Sequence, residues 1–166
     1  DNQSKSGVFD LIEKNSIFLF KIDFLANTGR FTGVLLANRS NSIFMEACKF
    51  TDNKGFMSGI FFLNTQNYLV VKNSSFFYNF GYYGASVLYS LDQSQLFLQE
   101  CNFIDNLSSK EETLIYLLSN NDLNARHIKI NYSAMEKGNL LTAKNINTIM
   151  FHDLNISLSI NVDSLF

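Results

Sequence analysis

The chain of 166 residues contains no proline and no tryptophan. Without proline, no proline-rich linker divides it into parts. Cysteine is nearly missing too. Cys48 and Cys101 are the only two, too few for a disulfide framework. Only 17% of the residues are charged and 46% are hydrophobic, which excludes a disordered acidic or basic tail. The net charge is −2, so the electrostatic footprint of a nucleic-acid-binding protein is absent. Apolar runs are short, as in Ile17-Phe18-Leu19-Phe20, and none approaches the roughly 20 residues of a membrane span. The length suits one domain with a real core.

What the chain does have is repetition. Asn15-Ser16-Ile17-Phe18 recurs as Asn41-Ser42-Ile43-Phe44, an offset of 26 residues. The same offset carries Phe24 to Phe50, Asn27 to Asn53, Gly29 to Gly55 and Gly33 to Gly59. The columns continue through Phe76 and Phe103, and through Asn79 and Asn106, with successive offsets of 26, 26, 27, 27 and 26 as Phe103 passes to Ile130 and Ile156. Within each repeat Ile17, Leu19, Ile22 and Phe24 and their counterparts alternate, with one break in phase, as in a strand, a bend and a second strand. A further apolar segment follows each glycine pair, as in Val34-Leu35-Leu36 and Ile60-Phe61-Phe62. The only helix-like stretch is the charged corner from Ser108 to Thr113.

A unit of this size cannot bury its apolar face alone, but stacked copies can. The expected fold is all-β, a right-handed parallel β-helix of about six coils, with handedness following the usual rule for parallel crossovers. Residues 1–166 read as a single solenoid segment. Phe24, Phe50, Phe76 and Phe103 are expected to form an aromatic ladder. Asn27, Asn53, Asn79 and Asn106 are expected to form an amide ladder at a turn, since Asn tolerates the left-handed conformation. The glycines are expected to supply positive φ at corners.

Phe24-x-x-Asn27 with Gly33-Val34-Leu35, Phe50-x-x-Asn53 with Gly59-Ile60-Phe61, Phe76-x-x-Asn79 with Gly84-Ala85-Ser86-Val87, and Phe103-x-x-Asn106 resemble the repeat of the polymorphic outer membrane proteins. The resemblance covers residues 15–118. It implies a pectin-lyase-like right-handed β-helix of the kind displayed on bacterial or protist surfaces, often adhesive. Gly7-Val8-Phe9 matches Gly33-Val34-Leu35, and Val162–Phe166 starts a fresh apolar strand. The chain therefore reads as cut from a longer rod; the alternative is degenerate caps at residues 1–14 and 147–166.

Cys48, Ser74 and Cys101 share one column, which places the two sulfurs two coils apart. At about 9 to 10 Å between Cα atoms they are beyond disulfide reach and read as free, buried thiols. His127 falls beside Asp153, and Arg126 beside His152, with Lys129 nearby; these read as outward neighbours pairing across the ladder, the alternative being an anion site or a proton-shuttling His–Asp pair. No coil presents the clustered carboxylates of a β-helix carbohydrate-active enzyme, so no catalytic residue, metal ligand or cofactor is assigned. Six Asn-x-Ser/Thr sequons occur, at Asn2, Asn38, Asn73, Asn106, Asn131 and Asn155, against about three expected from composition. Asn106 belongs to the amide ladder, which leaves Asn38, Asn73, Asn131 and Asn155 as candidates for N-linked glycans. Phe80, Tyr82 and Tyr83, near Phe56 and Phe31, read either as further interior ladder or as an exposed apolar stripe for a partner or for carbohydrate stacking.

These features point to a non-enzymatic structural and adhesive rod of a large secreted or cell-surface glycoprotein. Its expected partners are other chains of an assembly or cell-surface ligands. An intracellular scaffold of a cytoskeletal or ciliary assembly is the alternative, and a fragment of a carbohydrate-active enzyme the third reading.

Overall fold

The computed structural model describes residues 5–110, 113–132 and 139–158. Its strands follow the repeat. The first rung holds β1 (Phe9–Leu11), β2 (Ser16–Phe20), β3 (Asp23–Leu25) and β4 (Thr28–Gly29). The second holds β5 (Leu35–Ala37), β6 (Ser42–Glu46), β7 (Lys49–Thr51) and β8 (Lys54–Gly55). The third holds β9 (Phe61–Thr65), β10 (Tyr68–Lys72), β11 (Ser75–Phe77) and β12 (Phe80–Gly81). The fourth holds β13 (Ala85–Asp92), β14 (Gln95–Gln99), β15 (Asn102–Ile104) and β16 (Leu107–Ser108). The fifth is β17 (Thr113–Ser119) with the long β18 (Asp122–Tyr132), and the sixth is β19 (Asn139–Ala143) with β20 (Thr148–Leu158).

Equivalent strands pair in parallel, giving a six-stranded, a ten-stranded and a four-stranded sheet, the ten including β20, which pairs with β18. The register is that of the repeat: Ile17 lies beside Ile43 and Phe24 beside Phe50. The fold is thus an all-β parallel solenoid. The six strands β1, β5, β9, β13, β17 and β19 are separated by five intervals, so the described residues make six stacked rungs and about five turns. The described residues include no helix. The charged corner is strand up to Ser108 and again from Thr113, with residues 111–112 outside the described set. Val162–Phe166 also lies outside it.

The interior is built of columns. Phe24, Phe50, Phe76 and Phe103 stack with ring centroids 4.9, 4.9 and 4.6 Å apart and nearly parallel planes. Phe61 meets Phe50 edge-on at 5.3 Å. Each rung thus supplies a ring to its neighbours, and parallel register forces like onto like. Ile22, expected inside, is 37% exposed, whereas the later members of its column, Cys48, Ser74, Cys101 and Ile128, are buried.

Two expectations about the corners need correction. No described glycine has positive φ. The left-handed positions belong to other columns: Lys21, Ala47, Asn73, Glu100, His127 and Asp153 at one bend, and Ala26, Asp52, Tyr78 and Asp105 at another. The second set immediately precedes the ladder asparagines, which themselves are not left-handed. Glycine is needed for proximity instead. A Cβ on Gly33 would stand 2.2 Å from the Gly59 carbonyl oxygen, and one on Gly55 2.1 Å from that of Ser58. At these corners two segments of backbone touch, and any side chain would drive them apart.

Candidate recognition surface

The buried polar side chains serve mainly to tie rungs together. Asn79 is fully buried. Its Oδ1 accepts from the Asn53 amide N–H (3.0 Å) and from Asn53 Nδ2 (2.9 Å), while its own Nδ2 donates to Asn106 Oδ1 (2.8 Å) and to the Phe50 carbonyl (3.0 Å). Asn27 joins the same chain through Asn53 Oδ1. A second ladder, which the sequence reading missed, follows the same rule. The Asn15 and Asn41 backbone and side-chain amides donate to Asn41 and Asn67 Oδ1 respectively. Ser94 substitutes in the next rung, then Asn121 and Asn147 resume. At the third corner Ser6, Thr32, Ser58 and Ala85 stand in register, and the hydroxyls of Thr32, Ser58 and the adjacent Ser86 donate to backbone carbonyls.

Cys48 and Cys101 are free and buried, with Ser74 between them. The Ser74 hydroxyl accepts the Cys48 N–H (3.1 Å) and donates to the Lys72 carbonyl (2.7 Å). Burial pushes the Cys101 thiol up to about 12, with a smaller contribution from the Glu100 charge, and raises Cys48. Both are weak nucleophiles as a result. No group of three or more His, Cys, Asp or Glu that would hold a metal occurs among the described residues. No helix among them is long and apolar enough to cross a membrane.

The outward side chains are where recognition chemistry remains. His127 Nδ1 and Asp153 Oδ2 pair at 3.1 Å on adjacent rungs, and Arg126 lies beside His152, as the register implied. Both His127 and Asp153 are more than half exposed, where such a pair contributes little. Of the sequons, Asn106 is buried with both ends of its amide engaged. Asn73 is exposed, on the left-handed bend with φ 47°. Asn38 is half-buried and its Oδ1 accepts from Asn64. Asn131, whose Oδ1 accepts the Ser157 hydroxyl, and Asn155 are exposed on β18 and β20. Asn2 lies outside the described residues.

Two aromatic surfaces stand apart from the core. Phe56 stacks with Tyr82 (5.6 Å) and Tyr83 (5.8 Å) at the glycine corner, and all three are 42 to 49% exposed. Phe56, Tyr82 and Tyr83 therefore lie on the surface rather than in an interior ladder. Phe80 is half-buried there, and Phe31 turns to Phe62 (6.2 Å) in a separate outer cluster with Tyr89 and Tyr116.

The other surface is a groove of about 430 Å³ on the outer face of the ten-stranded sheet. Phe18, Phe44, Tyr68 and Phe97 form one wall, and Glu46, Lys72, Gln99 and Arg126 the other. Phe18, Phe44 and Phe97 share one outward column with Val70, Tyr68 stands two residues before Val70 on β10, and Glu46, Lys72, Gln99 and Arg126 form the neighbouring outward column. The pattern was present in the repeat: Phe18 and Phe44 follow directly on the inward Ile17 and Ile43. Comparison with protein-family models, with curated proteins and with solved structures finds no match for this chain.

Proposed function

We propose that this chain is a stiff, non-enzymatic recognition element of a large secreted or cell-surface glycoprotein, with the right-handed, pectin-lyase-like course expected of parallel crossovers. The observation that carries the reading is the division of labour between inside and outside. Interior amides and hydroxyls bind rung to rung, which fixes a rigid axis. The outward columns then repeat at rung spacing, about 4.8 Å, and display aromatic, charged and sequon residues in fixed register. Rigidity matters for adhesion because a pre-organised surface loses little entropy on binding.

The test is labelling of intact cells with an amine-reactive reagent that does not cross membranes. Lys49 and Lys72 are exposed. Modification of both without permeabilisation is expected; modification only after permeabilisation overturns the reading. A second reading, an intracellular scaffold of a cytoskeletal or ciliary assembly, draws on the free thiols of Cys48 and Cys101, since the cytosol keeps thiols reduced.

A further inference from the structure

The outer face of the ten-stranded sheet carries a groove, and the bend that follows β11 carries a ridge of complementary pattern. We infer that the ridge of one copy of this chain packs into the groove of a second copy, side by side. The inference names one partner of the recognition element proposed above, and rests on that reading only for where the copies meet.

The ridge stands on the left-handed bend of Asp52, Tyr78 and Asp105. Each backbone N–H there donates to the next rung: Asp52 to the Phe77 carbonyl, Tyr78 to that of Ile104 and Asp105 to that of Asn131. The three residues therefore line up along the solenoid axis. Tyr78 is 57% exposed, and its phenol has a carboxylate one rung away on each side, at about 4.8 Å spacing. Asp52 also meets Lys54 at 3.0 Å, with both side chains about half exposed, where such a pair is weak and screened.

The groove runs along the same axis and repeats at the same spacing. On its polar side Lys72, Gln99 and Arg126 occupy successive rungs in register, with Glu46 one rung before Lys72. The order is cation, amide, cation, against carboxylate, phenol, carboxylate on the ridge. Arg126 Nε donates to Asn124 Oδ1 (3.2 Å), which holds the guanidinium beside the groove. Setting Tyr78 level with Gln99 brings both carboxylates level with both cations. Parallel copies aligned rung for rung would set Asp52 against Glu46 instead, so the matching offset is one rung. Both patterns read the same in reverse, and antiparallel copies match at the same levels. On the apolar side Tyr78 then meets Phe97, which is 36% exposed. Tyr68 and Phe97 lie 5.5 Å apart with planes tilted by 49°. Such a wall offers edges and faces to an inserted ring rather than one flat platform.

Backbone pairing fixes the mode of contact. β6, β10 and β14 each pair with a rung on both sides, so no partner can add a strand to this face, and whatever docks meets side chains alone. The groove crosses five rungs, about 19 Å, and one strand, about 17 Å wide, a footprint of roughly 300 Å². That is small beside the ~800 Å² per partner of a standard interface, so each contact is weak and copies associate near about 1 mM. The ridge follows β11 and the groove lies on β10, with the left-handed bend at Asn73 between them. One copy therefore engages one neighbour by its ridge and another by its groove, a heterologous contact that leaves the array open. Among copies displayed on one surface, many such contacts reinforce one another.

The experiment is sedimentation velocity of the purified chain over roughly 0.01 to 1 mM. Growth past the dimer with concentration is expected, and less of it at high salt. Tyr78→Ala removes the ridge and Phe97→Ala the groove wall, and each is expected to weaken association at least tenfold. An equimolar mixture of the two variants is expected to form a one-to-one dimer and stop there, because one supplies an intact groove and the other an intact ridge. Ala26 already occupies the ridge column at φ 52°, and Val70 the column of Phe97, so both positions accept a smaller side chain. Unchanged urea midpoints verify that the variants fold. Tyr82→Ala, at the glycine corner, is expected to associate as the parent does. The inference is overturned if either the Tyr78 or the Phe97 variant associates like the parent, if their mixture stays monomeric, or if the parent is monomeric throughout, as it would be were the groove kept for a different partner. Cell-surface labelling is read on intact cells, so failure of this contact and failure of the surface-rod reading are distinguishable.

Discussion

Replacing Asn79 by alanine tests whether the amide ladder holds the solenoid together. The side chain sits in the middle of the ladder and makes four hydrogen bonds. Its loss leaves the Asn53 backbone N–H without its acceptor. It also takes one bond each from Asn53 Nδ2, Asn106 Oδ1 and the Phe50 carbonyl. Asn106 Oδ1 keeps the Asn79 backbone N–H, Asn53 Nδ2 keeps the Phe24 carbonyl, and Phe50 stays paired in the sheet between β7 and β11, so the severe loss is the orphaned N–H. At about 1–3 kcal/mol for that buried group and about 1 kcal/mol for each further bond lost, Asn79→Ala should cost about 3–5 kcal/mol. Asn27 stands at the ladder's end, half-buried, and its side chain makes one bond, to Asn53 Oδ1. The Asn27 backbone N–H still serves that oxygen, and Asn27→Ala should cost about 1 kcal/mol. Urea unfolding followed by circular dichroism, with the slope unchanged, reads the difference. Equal costs at the two positions, or a loss below about 1 kcal/mol at Asn79, would refute the reasoning. Asn79→Asp adds a pH signature. A carboxylate buried there faces Asn106 Oδ1 and the Phe50 carbonyl, so its folded pKa rises above the unfolded value near ~3.9. Its contribution is full below that value and is lost as pH rises, so the variant should be most stable in acid.

Other consequences follow from the cysteine column. Ser74→Cys places a third thiol one rung, about 4.8 Å, from each natural one, inside the usual disulfide range of about 4.4–6.8 Å between Cα atoms. Mild oxidation should then join residue 74 to Cys48 or to Cys101; a bond between Cys48 and Cys101 themselves would contradict the register. In the parent chain both thiols should resist thiol reagents until urea is added, and rapid native labelling would contradict their burial. Alkali should also destabilise the fold. In the unfolded chain the Cys101 thiol ionises near 9, in the folded one near 12, and Tyr132 shifts from 10 to about 12 through burial and the Asp105 charge. The folded state therefore holds its protons longer, and stability falls as pH climbs from 9 towards 12, by at most about 1.4 kcal/mol per pH unit for each group. A flat stability profile over that range would be the contrary result.

The period made much of this legible. In parallel stacking at constant register, each column of the alignment becomes a column in space, so the Phe24 and Asn27 ladders and the Cys48–Ser74–Cys101 column could be read directly. The glycines were misread because φ above zero and close backbone contact select the same residue, and only coordinates separate them. The ladder from Asn15 to Asn147 escaped notice although it obeys the same offsets, since Ser94 breaks the run of amides. The groove was harder still. Phe18, Phe44 and Phe97 are spaced like any other column, and nothing in their identity says that Tyr68 closes the gap at Val70 or that the charged column faces them. Composition likewise gave no sign of which side of the wall Phe56, Tyr82 and Tyr83 would occupy.

Peptide mass mapping of the native protein, before and after enzymatic removal of N-linked glycans, tests the surface-rod account most directly. Asn73 is exposed on its bend, whereas the Asn106 side chain is locked between rungs. The account predicts a mass shift at Asn73, with Asn38, Asn131 and Asn155 as further acceptors, and an unmodified Asn106. Full coverage of unmodified sequon peptides would contradict the glycoprotein reading, and a glycan on Asn106 would contradict the ladder itself.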